Sequence, residues 1–177
     1  VYLLDAAPSF FPGEPVLERE WGVGEASEKV LSILEFENEP VSSLGIPLPA
    51  GVLRVYRKDG TQLEFIGEDR LNHTPAKAKV KITLGNAFDL SGVRRRVDFK
   101  VDQRAHHLDE AFEIVLKNAG KTPVEITVVE HLSRSVGWKI TRESAKSTKV
   151  DSHTVHFQIP VAAESEITLS YAVRYTW

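Results

Sequence analysis

Two observations predict an all-β chain: a repeated two-residue alternation of apolar and polar side chains, and turn-forming residues placed between the alternating runs. In residues 166–177, Ile167, Leu169, Tyr171, Val173, Tyr175 and Trp177 fall in one phase. Thr168, Ser170, Ala172, Arg174 and Thr176 fall in the other. A helix would scatter those apolar residues around its axis, whereas a strand gathers them on one face. The same test assigns strands around Val80, Ile82 and Leu84, around Phe112, Ile114 and Leu116, and around Val124, Ile126 and Val128. It does so again for Val136, Trp138 and Ile140, and for Val155, Phe157 and Ile159. Val97, Phe99 and Val101 alternate with Arg96, Asp98 and Lys100 and are expected to share a face. From residue 78 onward this gives about seven strands in roughly 100 residues, the rhythm of an immunoglobulin-like antiparallel β-sandwich. Burying one face of every strand against a second layer serves both the apolar pattern and the backbone hydrogen bonds.

The punctuation agrees. Asn118-Ala119-Gly120-Lys121 reads as a hairpin turn in which Gly120 takes positive φ. Pro123 stands at the start of its strand, where a missing amide donor is tolerated. Asp151-Ser152 and Ala162-Ala163-Glu164 read as further short turns. In the N-terminal part, residues 52–57 and 61–66 bracket Lys58-Asp59-Gly60, a hairpin signal. Val30 to Phe36 is apolar, and its β-branching and acidic alternation favour a strand. Residues 5–15 hold Pro8, Pro12 and Pro15 and read as extended and irregular. Ile46-Pro47-Leu48-Pro49 is non-helical, because each proline forces its predecessor towards an extended conformation. Residues 67–77 read as a polar loop. The expected division is 1–76, strands and loops that extend or pack on the sandwich, and 77–177, the sandwich itself.

Composition narrows the function classes. With 42% apolar and 27% charged residues the chain is too apolar to be a disordered tail. A net charge of −3 does not suit a polyanionic partner, and no apolar run is long enough to span a bilayer. The chain has no cysteine, which excludes disulfides, thiolate chemistry and cysteine-held zinc. It has no methionine either, even at position 1, so a processed product or a piece of a longer protein is expected. Charge is uneven. Residues 1–39 carry Asp5, Glu14, Glu18, Glu20, Glu25, Glu28, Glu35, Glu37 and Glu39 against Arg19 and Lys29. Residues 77–104 carry Lys77, Lys79, Lys81, Arg94, Arg95, Arg96, Lys100 and Arg104. Lys77, Lys79 and Lys81 would share one strand face, as would Arg94, Arg96 and Lys100. Paired strands would then gather six cations on an outer face, with segment 14–39 as the internal counter-charge. Solvated strand faces are the plainer account. No exposed aromatics interleave with these cations, so nucleic-acid binding is not expected.

Several segments resemble a known family. Leu44-Gly45-Ile46-Pro47-Leu48-Pro49-Ala50-Gly51 precedes the hairpin Val52 to Ile66, and Gly67-Glu68-Asp69-Arg70-Leu71-Asn72-His73-Thr74-Pro75 follows it. Val129-Glu130-His131-Leu132, Trp138 and Val173-Arg174-Tyr175-Thr176-Trp177 come later in the same order. Over roughly residues 28–177 this resembles the C-terminal region of the bacterial family catalogued as domain of unknown function 4139. The resemblance implies a β-rich, exported protein with a further β-rich region upstream, hence an extracytoplasmic location. It supplies no catalytic residue.

Candidate sites are few. No Gly-x-Ser-x-Gly elbow and no glycine-rich phosphate loop occurs, so no catalytic residue and no cofactor is expected. Asp69, Arg70 and His73 cluster in the 67–77 segment and would form a ligand or hydrolase site if they converge; turn-capping hydrogen bonds explain them equally. His106, His107 and Asp109, with Glu110, would form a surface metal site if they lie in a loop. His153 and His156 are expected on opposite faces, and His131 as a hydrogen-bonded structural histidine. Trp138, Tyr171, Tyr175 and Trp177 are expected in the core. The leading expectation is a non-enzymatic interaction or structural module of a bacterial envelope or secreted protein. Its partner would be a protein or envelope component, engaged over a broad surface such as an open sheet edge. An envelope hydrolase, or an accessory domain of one, and a metal-binding module are the alternatives.

Overall fold

The computed structural model describes residues 1–5, 10–22, 29–42 and 44–177. Pro8, Glu25 and Glu28 lie outside these residues. Strands make up most of the described chain, in a large mixed sheet and a small two-stranded one, with no α-helix among the described residues. No helix among the described residues is long and apolar enough to cross a membrane. The strands are β1 (Tyr2–Asp5), β2 (Lys29–Glu37), β3 (Gly51–Asp59), β4 (Gln62–Leu71), β5 (Lys79–Asp102), β6 (His107–Asn118), β7 (Val124–His131), β8 (Gly137–Glu143), β9 (Ser147–Lys149), β10 (Thr154–Val161) and β11 (Ser165–Thr176). They fall into two compact units, Val1 with Leu31–Asn86, and Tyr2–Val30 with Ala87–Trp177.

The smaller unit is built on β2, the first part of β5 and the β3–β4 hairpin. The hairpin turns at Gly60, whose φ of 58° is the left-handed value the sequence signal requires. Its register slips by one residue between Val55 and Tyr56, so Ile66 is extra in β4. Strand β4 continues to Leu71, so residues 67–71 are strand, not the polar loop read from composition. Two contacts explain the extension. Gly67 lies so close to β5 that an added Cβ would meet the Leu84 carbonyl oxygen at 2.5 Å. Asp69 accepts the Thr83 amide at 2.8 Å. The loops of this unit converge on Asn38, which is fully buried. Its amide nitrogen donates to the carbonyls of Ile46 (2.8 Å) and Pro75 (3.0 Å), and its oxygen accepts the Gly45 amide (2.9 Å). This accounts for both donors and the acceptor of the side chain.

In the larger unit β8, β11, β6 and β5 are successive neighbours, and so are β1, β7, β10 and β9. Strands β1 and β7 pair in parallel, whereas β7–β10, β10–β9, β11–β6, β11–β8 and β5–β6 pair antiparallel. Leu108, Phe112, Ile114, Leu116, Leu169, Tyr171 and Val173 from β6 and β11 join Ile126, Val128, Val155, Phe157 and Ile159 from β7 and β10 in a single core. Leu4 of β1 fills the space over Gly92, where an added Cβ would meet it at 2.3 Å.

Several turns differ from their local reading. β6 and β7 are not neighbours, so residues 118–121 make a crossover rather than a hairpin. Gly120 does not take positive φ. Its amide instead donates to Asn118, whose amide nitrogen reaches the carbonyls of Thr122 and Ala162 and ties two crossovers together. The 162–164 turn likewise joins strands that do not pair, with Glu164 at positive φ. Of the three turns read in the C-terminal half, 118–121, 151–152 and 162–164, 151–152 is the one that closes a hairpin, β9–β10.

Candidate functional site

The residues singled out in the 67–77 segment do not converge. Asp69 gives one oxygen to the Arg70 amide (2.7 Å) and the other to the Thr83 amide (2.8 Å). These backbone bonds, Thr83 first, hold its carboxyl below the usual carboxylate range. Arg70 is exposed, and His73 only receives the Ala50 amide, at 3.4 Å. No hydrogen bond or ion pair joins the three side chains. Asp69 is therefore an anchor for the hairpin base.

The histidine pair separates as well. His106 sits at positive φ with its ring edge-on to Trp177, whereas His107 lies 3.7 Å from Asp109. Asp109 commits both oxygens to Arg174, at 2.7 and 2.8 Å, and that bidentate pair lowers its pKa. Glu110 points the other way, into the core. Among the described residues no group of three or more His, Asp or Glu is arranged to hold a metal ion. His131 has Nδ1 3.2 Å from the Thr154 hydroxyl, and His153 stacks on Phe11.

The basic stripe is the largest departure. Lys79, Lys81, Arg94, Arg96 and Lys100 all belong to one strand, β5, and so cannot face one another across a pair. Arg96 pairs with Phe112 and Asp98 with Ala111, which leaves Val97 as a bulge. The bulge reverses the phase. Arg94 and Arg96 point into the core with Phe99, while Lys100 points out beside Asp98. Val97, expected on the buried face, is exposed.

Just before the bulge, Arg94 and Arg96 enter a buried charge network inside the larger unit. Glu130, fully buried, accepts Arg94 Nε at 3.0 and 3.1 Å and the Tyr171 hydroxyl. Glu110 accepts Arg96 at 3.1 Å on one oxygen and Arg134 at 2.9 Å on the other. Arg134 then donates to the carbonyls of Val16, Glu18 and Trp21, at 2.9, 2.9 and 2.6 Å, and its own carbonyl receives the Val16 amide. Arg94 stacks over Phe112, 3.8 Å from the ring centre, and Arg134 and Arg96 both lie over Phe99. Three guanidinium groups against two carboxylates leave a surplus positive charge, which the carbonyls of 16–22 solvate in place of water. The expected counter-charge, the acidic side chains of 14–39, is thus replaced by Glu110 and Glu130 and by backbone. Among the described residues of that stretch, only Glu35 reaches a cation of the stripe, Lys81, at 4.0 Å on the surface.

Burial works against charge on Arg94, but Glu130 and Tyr171 more than offset it and hold its pKa above the ordinary value. Burial, reinforced by Glu130, raises Tyr171 well above a free tyrosine; burial and Glu110 do the same to Tyr175. Both hydroxyls therefore keep their protons in the folded chain beyond the pH at which the unfolded chain releases them, about 10. The stability they confer is complete below that pH and falls as pH rises above it. Urea midpoints measured across that range should drop steadily, and the double change Tyr171→Phe with Tyr175→Phe should flatten the slope. An unchanged slope in that variant would contradict the assignment.

The sequence held a signal for this network. Glu110 shares phase with Leu108, Phe112 and Ile114, and Glu130 with Ile126 and Val128. A carboxylate on the inward side of an apolar strand needs a buried cation.

The remaining feature is on the surface of the smaller unit. The β3–β4 register places Val52, Arg54, Tyr56 and Lys58 opposite Arg70, Glu68, Phe65 and Leu63 on one face. Val52, Tyr56, Leu63 and Phe65 are 58, 48, 69 and 53% exposed. Tyr56 and Phe65 meet edge to face, and Arg54 pairs with Glu68. On the reverse face, Leu53, Val55, Gly67 and Asp69 turn towards β5 at the hairpin base, and Arg57 pairs with Glu64 nearer the tip. The edges of the large sheet are poorer docking sites. β9 is three residues long, and β8 carries Lys139, Arg142 and Glu143 and a register slip opposite Ala172 and Val173.

Compared with protein-family models, with curated proteins and with solved structures, the chain matches none.

Proposed function

We propose that the chain is a non-enzymatic interaction module of a bacterial cell-envelope or secreted protein, and that the outer face of the β3–β4 hairpin meets its partner. The observation that carries this reading is the exposure of four large apolar side chains on one face of the ribbon. Apolar groups clustered on a surface mark a binding site more often than a solvated wall. The interior supports the same reading. Each carboxylate and each arginine of the buried network is taken up by another protein group, so none is left free to bind or turn over a substrate.

The finer fold belongs to this proposal too. Side chains from β6 and β11 meeting those of β7 and β10 in one core support an immunoglobulin-like sandwich over 77–177. The order of motifs supports membership of the family of unknown function named above, and with it an extracytoplasmic location. The hydrolase and metal-site alternatives have no observation in their favour.

A photo-crosslinking residue placed at Tyr56 or Phe65 of the protein in its native cell tests the proposal. Adducts to a discrete protein or to lipid are expected from these positions and not from Arg57 or Glu64 on the reverse face. Equal labelling from both faces, or none from either, would remove the hairpin as the interaction surface.

A further inference from the structure

We infer that the outer hairpin face binds an anionic lipid surface. This rests on the reading of that face as the interaction surface and names its partner. The charges on the ribbon are divided unequally. On the apolar face Glu68 is taken up by Arg54, while Lys58 and Arg70 have no carboxylate partner among the described residues. The reverse face carries the closed pair Arg57–Glu64, at 2.6 Å, together with Asp59 and Asp69. Of the ribbon's two faces, the surplus positive charge therefore lies on the one with Val52, Tyr56, Leu63 and Phe65, and the occupant must offer negative charge and apolar matter together.

The pattern of the face decides between occupants. Its charged and apolar residues alternate along the ribbon as cross-strand neighbours: Val52 with Arg70, Arg54 with Glu68, Tyr56 with Phe65, Lys58 with Leu63. A dry protein interface would have to desolvate the Arg54–Glu68 pair in its centre, where charge is normally depleted, with Arg70 and Lys58 at its two ends. A second copy would set Lys58 and Arg70 against their own like charges. A bilayer surface imposes neither penalty. Its headgroup layer is hydrated and polar, so the cations stay solvated among anionic headgroups while the aromatic and aliphatic side chains dip towards the acyl boundary. Tyrosine, with an apolar ring and a polar tip, suits that depth.

The test uses the full chain and two vesicle preparations, phosphatidylcholine alone and phosphatidylcholine with about 30 mol % phosphatidylglycerol. Cosedimentation is expected with the anionic vesicles, little with the neutral ones, and progressive loss as added salt shortens the screening length. Lys58→Glu combined with Arg70→Glu should weaken partitioning at least about tenfold, since each cation near an anionic surface contributes severalfold. Phe65→Ser should weaken it severalfold. Arg57→Glu changes net charge in the same direction on the opposite face and should bind like the parent chain; circular dichroism confirms that each variant is folded.

Loss with the outer-face variants and retention with Arg57→Glu supports the inference. Absence of binding to both vesicle types overturns it, as does binding that ignores Phe65 or responds equally to Arg57→Glu. If vesicles fail while a crosslinker at Phe65 captures a discrete protein, the lipid assignment falls and the interaction surface stands. If both fail, both fall.

Discussion

Replacing Glu130 with alanine is expected to cost the larger unit about 3–5 kcal/mol, a large share of the stability of an ordinary domain. The loss does not measure the strength of one ion pair. Arg94 is 8% exposed and stays charged at any accessible pH, so removing its partner strands a guanidinium in the core. The Tyr171 hydroxyl loses its acceptor in the same step. Urea unfolding followed by tryptophan fluorescence and far-ultraviolet circular dichroism reads the change. The companion variant Arg94→Met, Glu130→Leu, Tyr171→Phe removes every polar member together and should recover most of the loss, because no buried group is then left unpaired. A loss below about 1 kcal/mol for Glu130→Ala would mean that water reaches Arg94 and that the network is not closed.

The second large effect is expected at Asn38. Its side chain makes three hydrogen bonds to backbone groups of separate loops at complete burial. Asn38→Ala leaves the Gly45 amide and the Ile46 and Pro75 carbonyls without that partner, at about 1 kcal/mol or more each. The expected destabilisation is about 3 kcal/mol. Asn38→Asp should be at least as harmful, since it sets a carboxylate oxygen against two carbonyls. Hydrogen exchange resolves the site: the Gly45 and Lys77 amides should lose protection first, as one bonds the Asn38 side chain and the other its backbone carbonyl. Unchanged protection at both positions would show that the loops are held by something else.

The candidate sites were legible in the sequence only as clusters of residue types, and the clusters misled for a definite reason. Asp69 and Arg70 are adjacent on β4 and so point to opposite faces, while His73 lies past the end of that strand and receives the Ala50 amide. His107 and Asp109 share a face, yet Arg174, far along the chain, claims the carboxylate first. Arg134 gave no local sign of its role, because its partners at 16–21 and 110 come together only through the fold.

By itself the sequence determined that the chain is all-β in class, where most strands lie, and which of their faces are apolar. Side-chain alternation is a property of the local backbone and needs no knowledge of neighbours. Strand partners were decided by the tertiary structure, which made crossovers of the 118–121 and 162–164 turns. It also decided the phase of β5 after Arg96. A single extra residue at Val97 carries no compositional mark, because a bulge forms to satisfy the opposing strand and turns Phe99 inward and Lys100 outward, and Arg94 and Arg96 meet Glu130 of β7 and Glu110 of β6 only through the fold.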